Sequence, residues 1–302
     1  MTRSFAYVVA AISLVLAAAP AAAQLTRTAD VKDILLRGNV HMFMGAGGNV
    51  GVTVGPDGPA IIDTQFAEMV DRLTAAVKKI DPKPISFVLN THWHFDHTGG
   101  NEGFGKAGVK IIAHENTYKR MTAPGEIAAM AMKFEPSPHV ALPTLTIRDT
   151  GTMHINGHTI EMVYLPDAHT DTDVMYVFKE ANVIHTGDTY TRLTYPFVDT
   201  SSGGTIKGMI AARKKILTYT NADTQIIPGH GDLSNPKELA DSIPMLEEID
   251  KRVSALVAAG RTLEQVLAEK PTKDFDAVYA PRPDQGDVFV TRLYQEKTAK
   301  KK

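Results

Sequence analysis

The sequence predicts an α/β (α+β) fold. Short β-rich apolar runs bounded by Gly, Pro, Asn and Asp recur between Val40 and Ile227. Between them lie stretches with apolar residues at helical spacing, such as Phe66, Val70, Leu73, Val77 and Ile80. The order is a β-β-α-β half followed by a second β-rich half with helices. Two stacked mixed sheets flanked by helices accommodate that order, because every sheet and helix then has a partner for its apolar face.

The elements follow in chain order. Met1-Thr2-Arg3, the apolar run Phe5 to Ala19 and the ending Ala21-Ala22-Ala23 have the basic start, short apolar core and small-residue cut site of a secretory signal peptide. The run is short for a membrane span. Cleavage after Ala23 is expected to leave residues 24–302 as one domain without a stable membrane anchor, exported most simply to a bacterial periplasm. Gln24 to Arg37 carries no strong pattern. Val40 to Met44 and Asn49 to Val54 read as strands joined by Gly45-Ala46-Gly47-Gly48, with Gly45 to Asn49 a candidate flexible flap. A Gly55-Pro56-Asp57-Gly58 turn leads to the strand Ala60 to Ile62. Phe66 to Ile80 is an amphipathic helix, Ile85 to Leu89 a buried strand and Lys110 to Ala113 a short strand. Glu115 to Met132 reads as helical with a break near Pro124-Gly125, and Pro136 to Pro143 as a loop between the halves. Thr150 to Ile155 and His158 to Tyr164 form a hairpin across Asn156-Gly157, with His154 and His158 flanking the turn and expected to be exposed. Val174 to Phe178 and Val183 to Thr186 are short strands. Thr205 to Tyr219, Pro236 to Ala259 and Thr262 to Ala268 are helices, the first capped by Thr205 and the second open to interruption at Pro244. The basic tail from Lys297 reads as a solvated terminus.

The chain has 32 basic and 34 acidic residues and no cysteine. Near-neutral charge argues against a nucleic-acid enzyme, which needs a basic face. The lack of cysteine excludes disulfides, a thiol nucleophile and thiolate metal ligands.

The stretch Thr91-His92-Trp93-His94-Phe95-Asp96-His97-Thr98-Gly99-Gly100 carries the chemistry. Imidazole suits zinc and carboxylate is a good companion ligand. In an extended segment His92 and His94 project to the same side. Asp96 and His97 follow where the chain turns and can face a second metal. Burying so many polar side chains unpaired would be costly, so packing is a poor explanation for the cluster.

More distant segments complete the pattern: Pro166-Asp167-Ala168-His169-Thr170-Asp171, Thr186-Gly187-Asp188-Thr189 and Ile227-Pro228-Gly229-His230-Gly231. Each follows a β-rich run, so all sit at strand ends. With Ala60-Ile61-Ile62-Asp63-Thr64 upstream, the set resembles the metallo-β-lactamase-fold superfamily over about Val40 to Asp232. The resemblance implies a four-layer αββα sandwich and two Zn2+ ions per chain. His92, His94 and His169 would hold one ion, and Asp96, His97 and His230 the other. Asp188 would bridge them beside a metal-bound hydroxide, and Asp63 would orient a ligand or the ligand loop. One group of true β-lactamases has cysteine at the Asp188 position and another has serine, so an aspartate there looks more like the glyoxalase II, lactonase and phosphodiesterase branches. Fold alone does not establish β-lactam hydrolysis.

The implied function is a periplasmic hydrolase cleaving a carbonyl bond in a small molecule: a β-lactam, lactone, ester or thioester. Asp96 or Asp188 would take and return the proton. Trp93, Tyr190, Arg192 and Tyr195 are candidate substrate contacts, with Arg192 able to receive a carboxylate and a tyrosine able to donate to an oxyanion. For Trp93, anchoring of the ligand loop competes with that role; for Arg192, a surface salt bridge does. A mononuclear-iron oxidoreductase resembling the persulfide dioxygenases is the alternative within the same fold, and a non-catalytic metal binder is a third. Oligomeric state is not legible.

Overall fold

The computed structural model describes residues 27–299. The segment expected to be a signal peptide, residues 1–23, lies outside them. Among the described residues, no helix is long and apolar enough to cross a membrane.

The first sheet contains β1 (Lys32–Leu35), β2 (Val40–Met44), β3 (Val50–Thr53), β4 (Ala60–Ile62), β5 (Phe87–Leu89) and β6 (Lys110–His114). After a separate small hairpin of β7 (Gly125–Ile127) and β8 (Met132–Phe134), the chain returns to its far edge as β9 (Leu145–Ile147). The order is β1-β2-β3-β4-β5-β6-β9, antiparallel through β4 and parallel from β4 to β9. The second sheet runs β10 (Thr150–Ile155), β11 (His158–Tyr164), β12 (Val174–Phe178), β13 (Val183–His185) and β14 (Gln225–Ile227) in chain order, with only β13–β14 parallel. The hairpin turn falls on Asn156 (φ 54°) and Gly157 (φ 81°), the positive-φ pair that a tight hairpin requires.

Alternation along the strands builds the layers. Val40, Met42, Ile62, Leu89 and Ile112 face inward and meet Ile160, Met162, Tyr176, Phe178 and Val183 of the other sheet. The intervening Phe43, Ile61, Val88 and Ile111 face outward against Leu73, Ala76 and Val77 of α1 (Val70–Ile80). A one-residue slip in any of these strands would exchange its two faces, so the register is tightly specified. On the far side, Val163, Met175, Val177 and Ile226 are covered by Ala212 and Ile216 of α5 (Ile206–Leu217, with α2, α3 and α4 described below) and by Leu239 of α6 (Pro236–Ala258). The result is the αββα sandwich.

Several expectations need correction. The stretch after α4 (Glu115–Met121) is not helical: it forms the β7–β8 hairpin, because Pro124 cannot continue the helical hydrogen bonding and Ala131 adopts a left-handed backbone (φ 52°). Residues 32–35 form an edge strand where no pattern was legible. The Gly45–Asn49 turn is no projecting flap: Ala46 and Asn49 are buried and Asn49 bonds across to the Pro228 and Gly231 carbonyls. His158 is buried, against the expectation of exposure. α6 passes through Pro244 without a break. Beyond α7 (Leu263–Ala268) come α8 (Asp276–Tyr279) and α9 (Gln285–Thr298), and Lys297, read as part of a solvated tail, is ion-paired to Asp250.

Candidate metal centre

The parallel strands set the site. β4 and β5 end in register at Ile62 and Leu89, and β13 and β14 at His185 and Ile227. The loops that follow all emerge at one edge of the sandwich, the crevice beyond the strand ends where such sheets place ligands. His92 and His94 lie on the loop after β5. Asp96 and His97 lie in the one-turn α2 (Phe95–Thr98), followed directly by α3 (Asn101–Lys106). His169 follows β11, Asp188 sits in a 3-10 turn after β13, and His230 follows β14.

The structure brings these seven side chains together. Donor atoms of His92, His94 and His169 lie within 4.8 Å of one another, as do those of His92, His97 and Asp188, and those of Asp96, His97 and His230. His94 Nδ1 is 2.9 Å from His169 Nε2, and His97 Nε2 is 3.4 Å from His230 Nε2. Asp188 stands between the two sets. Its Oδ2 is 3.8 Å from His169 Nε2 and 3.4 Å from His230 Nε2, and its Oδ1 is 3.2 Å from His97 Nε2. Asp96 Oδ2 is 3.2 Å from His230 Nε2.

Each of four imidazoles is held by its outward nitrogen, which leaves the other turned to the centre. His97 Nδ1 meets Asp63 Oδ2 at 2.7 Å, His94 Nε2 meets Asp199 Oδ2 at 3.0 Å, and His169 Nδ1 meets the Phe197 carbonyl at 2.6 Å. His92 Nδ1 lies 3.0 Å from Thr91 Oγ1. The inward His92 Nε2 is buried with no hydrogen-bond partner among the described residues, and Asp188 Oδ1 has only the 3.2 Å ionic contact with His97 Nε2. Unpaired buried polar atoms are rare and costly. Convergent orphan donors of nitrogen and oxygen are what divalent cations satisfy, and the outward partners are the carboxylates and carbonyls that orient metal-bound histidines. The residues therefore fit two cations.

Two glycines make room for the centre. A Cβ on Gly48 would lie 2.1 Å from the His97 ring, and one on Gly229 would lie 1.9 Å from Asp188 Oδ1. Asp63 is itself strained, at φ 69°, and is held there by donation from the Thr91 backbone N–H and hydroxyl, both at 2.7 Å.

The electrostatics divide the set. Burial pulls His92 well below its ordinary value and His169 down to about 4, so both are neutral at pH 7, as ligands must be. Burial also disfavours the charged form of His97, but Asp188, Asp96 and Asp63 overcome it and hold the imidazole high. His230 is raised in the same way by Asp188 and Asp96. Burial pushes Asp96 up, yet His97 and His230 hold it at about 2.

The family model described as the metallo-beta-lactamase superfamily matches residues 45–233, the span that carries every one of these ligands. The chain belongs to that superfamily. Curated relatives include the thioesterase pkgB of Emericella nidulans, 27% identical over 180 residues that make up 58% of this chain and 43% of that protein. A linear primary-alkylsulfatase of Pseudomonas sp. is 26% identical over 62% of this chain and 42% of its own length. A hydroxyacylglutathione hydrolase of Polaromonas sp. is 28% identical over 54% of each. The chain thus spans less than half the length of the first two. Among solved structures, a metallo-beta-lactamase from Pontibacter korlensis superposes with a TM-score of 0.60 at 19% identity, covering 72% of this chain and 99% of that one. A double mutant of the sec-alkyl sulfatase PisA1 reaches 0.65 at 18% identity, covering 89% and 50%. These structural likenesses speak to the fold.

The superfamily fold does not bring the other candidate residues into the centre. Tyr190 is buried with its hydroxyl 2.9 Å from Ser234 Oγ, and Tyr195 is buried on Thr272 and Asp276. Neither hydroxyl is free for a substrate. Arg192 is clamped by Glu238 through two 2.8 Å hydrogen bonds, so the salt bridge takes the guanidinium that a substrate carboxylate would need. Trp93 is buried edge-on to His94, and its Nε1 donates to Ser202 Oγ at 3.1 Å, which anchors the ligand loop. The residue that sequence reasoning missed is Asp199. Both its oxygens are engaged: one accepts from the Ser201 and Ser202 backbone N–H groups, and the other contacts His94 and the Ser202 hydroxyl. An Asp-Thr-Ser-Ser-Gly-Gly run is a turn signal, but nothing local links it to a histidine over a hundred residues earlier.

Proposed function

We propose that this chain is a dinuclear metal-dependent hydrolase of acyl bonds in small molecules, with esters, thioesters and lactones preferred over β-lactams. The observation that carries the reading is Asp188, a carboxylate standing between two complete donor sets. His92, His94 and His169 would hold one cation and Asp96, His97 and His230 the other. Zinc is the proposed metal, since imidazole and carboxylate without thiolate suit it. A bound pair supplies Lewis acidity and lowers the pKa of water, which provides a nucleophile at neutral pH without a serine or cysteine.

The chain's own residues hold the geometry. Asp63 and Asp199 fix the tautomers and orientations of His97 and His94. Asp96, with the more open side chain of the two aspartates, is the better placed to take and return a proton. The thioesterase and hydroxyacylglutathione hydrolase relatives support the acyl-bond reading. The alkylsulfatase relatives favour a second reading at the same centre, hydrolysis of sulfate esters. The N-terminal segment supports export to a periplasm, and the near-neutral charge a small-molecule substrate rather than nucleic acid.

The test is a panel of an aryl ester, a thioester, an acyl lactone, a chromogenic cephalosporin and an alkyl sulfate, with Asp96→Ala as the control. Turnover of ester, thioester or lactone that is lost in the control is expected. Turnover of the alkyl sulfate alone would move the protein to the second reading, and cephalosporin turnover alone would return it to the lactamases.

A further inference from the structure

Arg292 on α9, like Arg213, is a cation near the metal centre without a carboxylate partner among the described residues, but Arg213 is fully buried and donates to the Thr189 carbonyl and the Ser242 hydroxyl. No acidic oxygen lies within ion-pair distance of the Arg292 guanidinium among the described residues, whereas Arg120, Arg192 and Arg252 each have one. Its guanidinium lies over the Phe197 ring, 4.2 Å from the centroid. That ring is 5.6 Å from His169 and 5.9 Å from His94, so one aromatic ring separates the arginine from two metal-site histidines. Asp199 favours the charged form of Arg292, but the oxygens of that carboxylate are already engaged by His94, Ser201 and Ser202. Burial draws the arginine down to about 10, and it remains a cation at neutral pH.

The same side chain lines a cavity of about 570 Å³ between α9, the turn of the β7–β8 hairpin and the segment after Phe197. Ala128, Ala129, Val198 and Val288 give it an apolar wall. Asp284 and Asp287, near the start of α9, also line it, and Asp284 lies 3.6 Å from Arg282. Other contacts fix the helix: Phe289, Val290 and Leu293 pack into the helical layer, and Glu296 accepts from the Ile206 N–H at the start of α5. Arg292 is therefore a preorganised fork on a rigid element, the form in which guanidinium binds carboxylate most strongly.

We propose that this cavity is a carboxylate-binding pocket beside the metal centre, in which Arg292 binds the carboxylate of an amphipathic small molecule while its apolar part lies against Ala128, Ala129, Val198 and Val288. The binding contrast does not depend on turnover. The experiment is calorimetric titration of the full chain with 4-phenylbutyrate and with its neutral amide, in the wild type, Arg292→Gln and Arg292→Lys. The wild type is expected to bind the acid, with Arg292→Gln weakening it at least tenfold, Arg292→Lys retaining part of the affinity and the amide unaffected by either change. Unchanged affinity for the amide reports an intact pocket. Acid binding of equal strength in wild type and Arg292→Gln, or no binding by the wild type, would overturn the proposal. A chain that failed every hydrolysis assay but kept the acid contrast would contradict the acyl-hydrolase reading and leave the pocket standing.

Discussion

At the scale of single residues, the seven donors separate from the side chains that aim them. Asp199 and Asp63 hold imidazoles by their outward nitrogens. Removing such a partner costs roughly 10–100-fold in metal affinity or activity. Asp199→Asn is expected to show a loss of that size in a metal titration and in kcat/KM, with the fold intact by circular dichroism; unchanged affinity would remove Asp199 from the site. Arg192→Ala should behave differently. Its partner is Glu238 and both side chains are about a quarter exposed, so a stability loss of about 1 kcal/mol or less is expected, with no change in the ranking of substrates. The contrast explains what was legible. His92, His94, Asp96 and His97 could be read because metal chemistry demands those residue types within a few positions of one another. Asp199 could not, because its role depends on a loop brought to His94 by tertiary folding. Arg192 was ambiguous for the same reason: Glu238 lies 46 residues away.

At the scale of elements, the site depends on how closely loops approach at the strand ends. Gly48 and Gly229 lie where any side chain would strike His97 or Asp188. Gly229→Ala is expected to lower metal content and abolish hydrolysis while leaving the sheet ladders formed. Normal metal content by elemental analysis would show that the turn has room that the backbone geometry denies. The strands around these turns were legible from alternation and turn residues, since period-two patterning and Asn156-Gly157 act locally. The β7–β8 hairpin was not, because residues 115–132 carry good helix formers and only Pro124 and the left-handed Ala131 divert them. α9 was also missed, although its buried face of Phe289, Val290 and Leu293 has helical spacing. Arg292 could not be singled out from sequence, because its importance lies in what it lacks as a partner.

At the scale of the whole molecule, two sheets and their helices gather a cluster of polar side chains that could hold cations. In their absence His97 and His230 are held above the ordinary imidazole range by surrounding carboxylates. A proton therefore occupies each at neutral pH, and a cation must displace it. Metal affinity is expected to fall as pH is lowered, since more protons then compete for the same nitrogens. Competition titrations at two pH values would check the sign, and affinity that rose on acidification would contradict it. Bound cations should also stabilise the fold. One site at about 100 times its Kd adds about 2.7 kcal/mol. Chelation is expected to lower Tm, and an unchanged Tm would mean the cluster is satisfied without metal. The most direct measurement is the number of Zn2+ equivalents bound by chelator-stripped protein, in the wild type and in Asp96→Ala. Two equivalents in the wild type, and one with loss of hydrolysis in the variant, are expected. A single equivalent in the wild type, or full hydrolysis by Asp96→Ala, would contradict a two-cation centre built around Asp188.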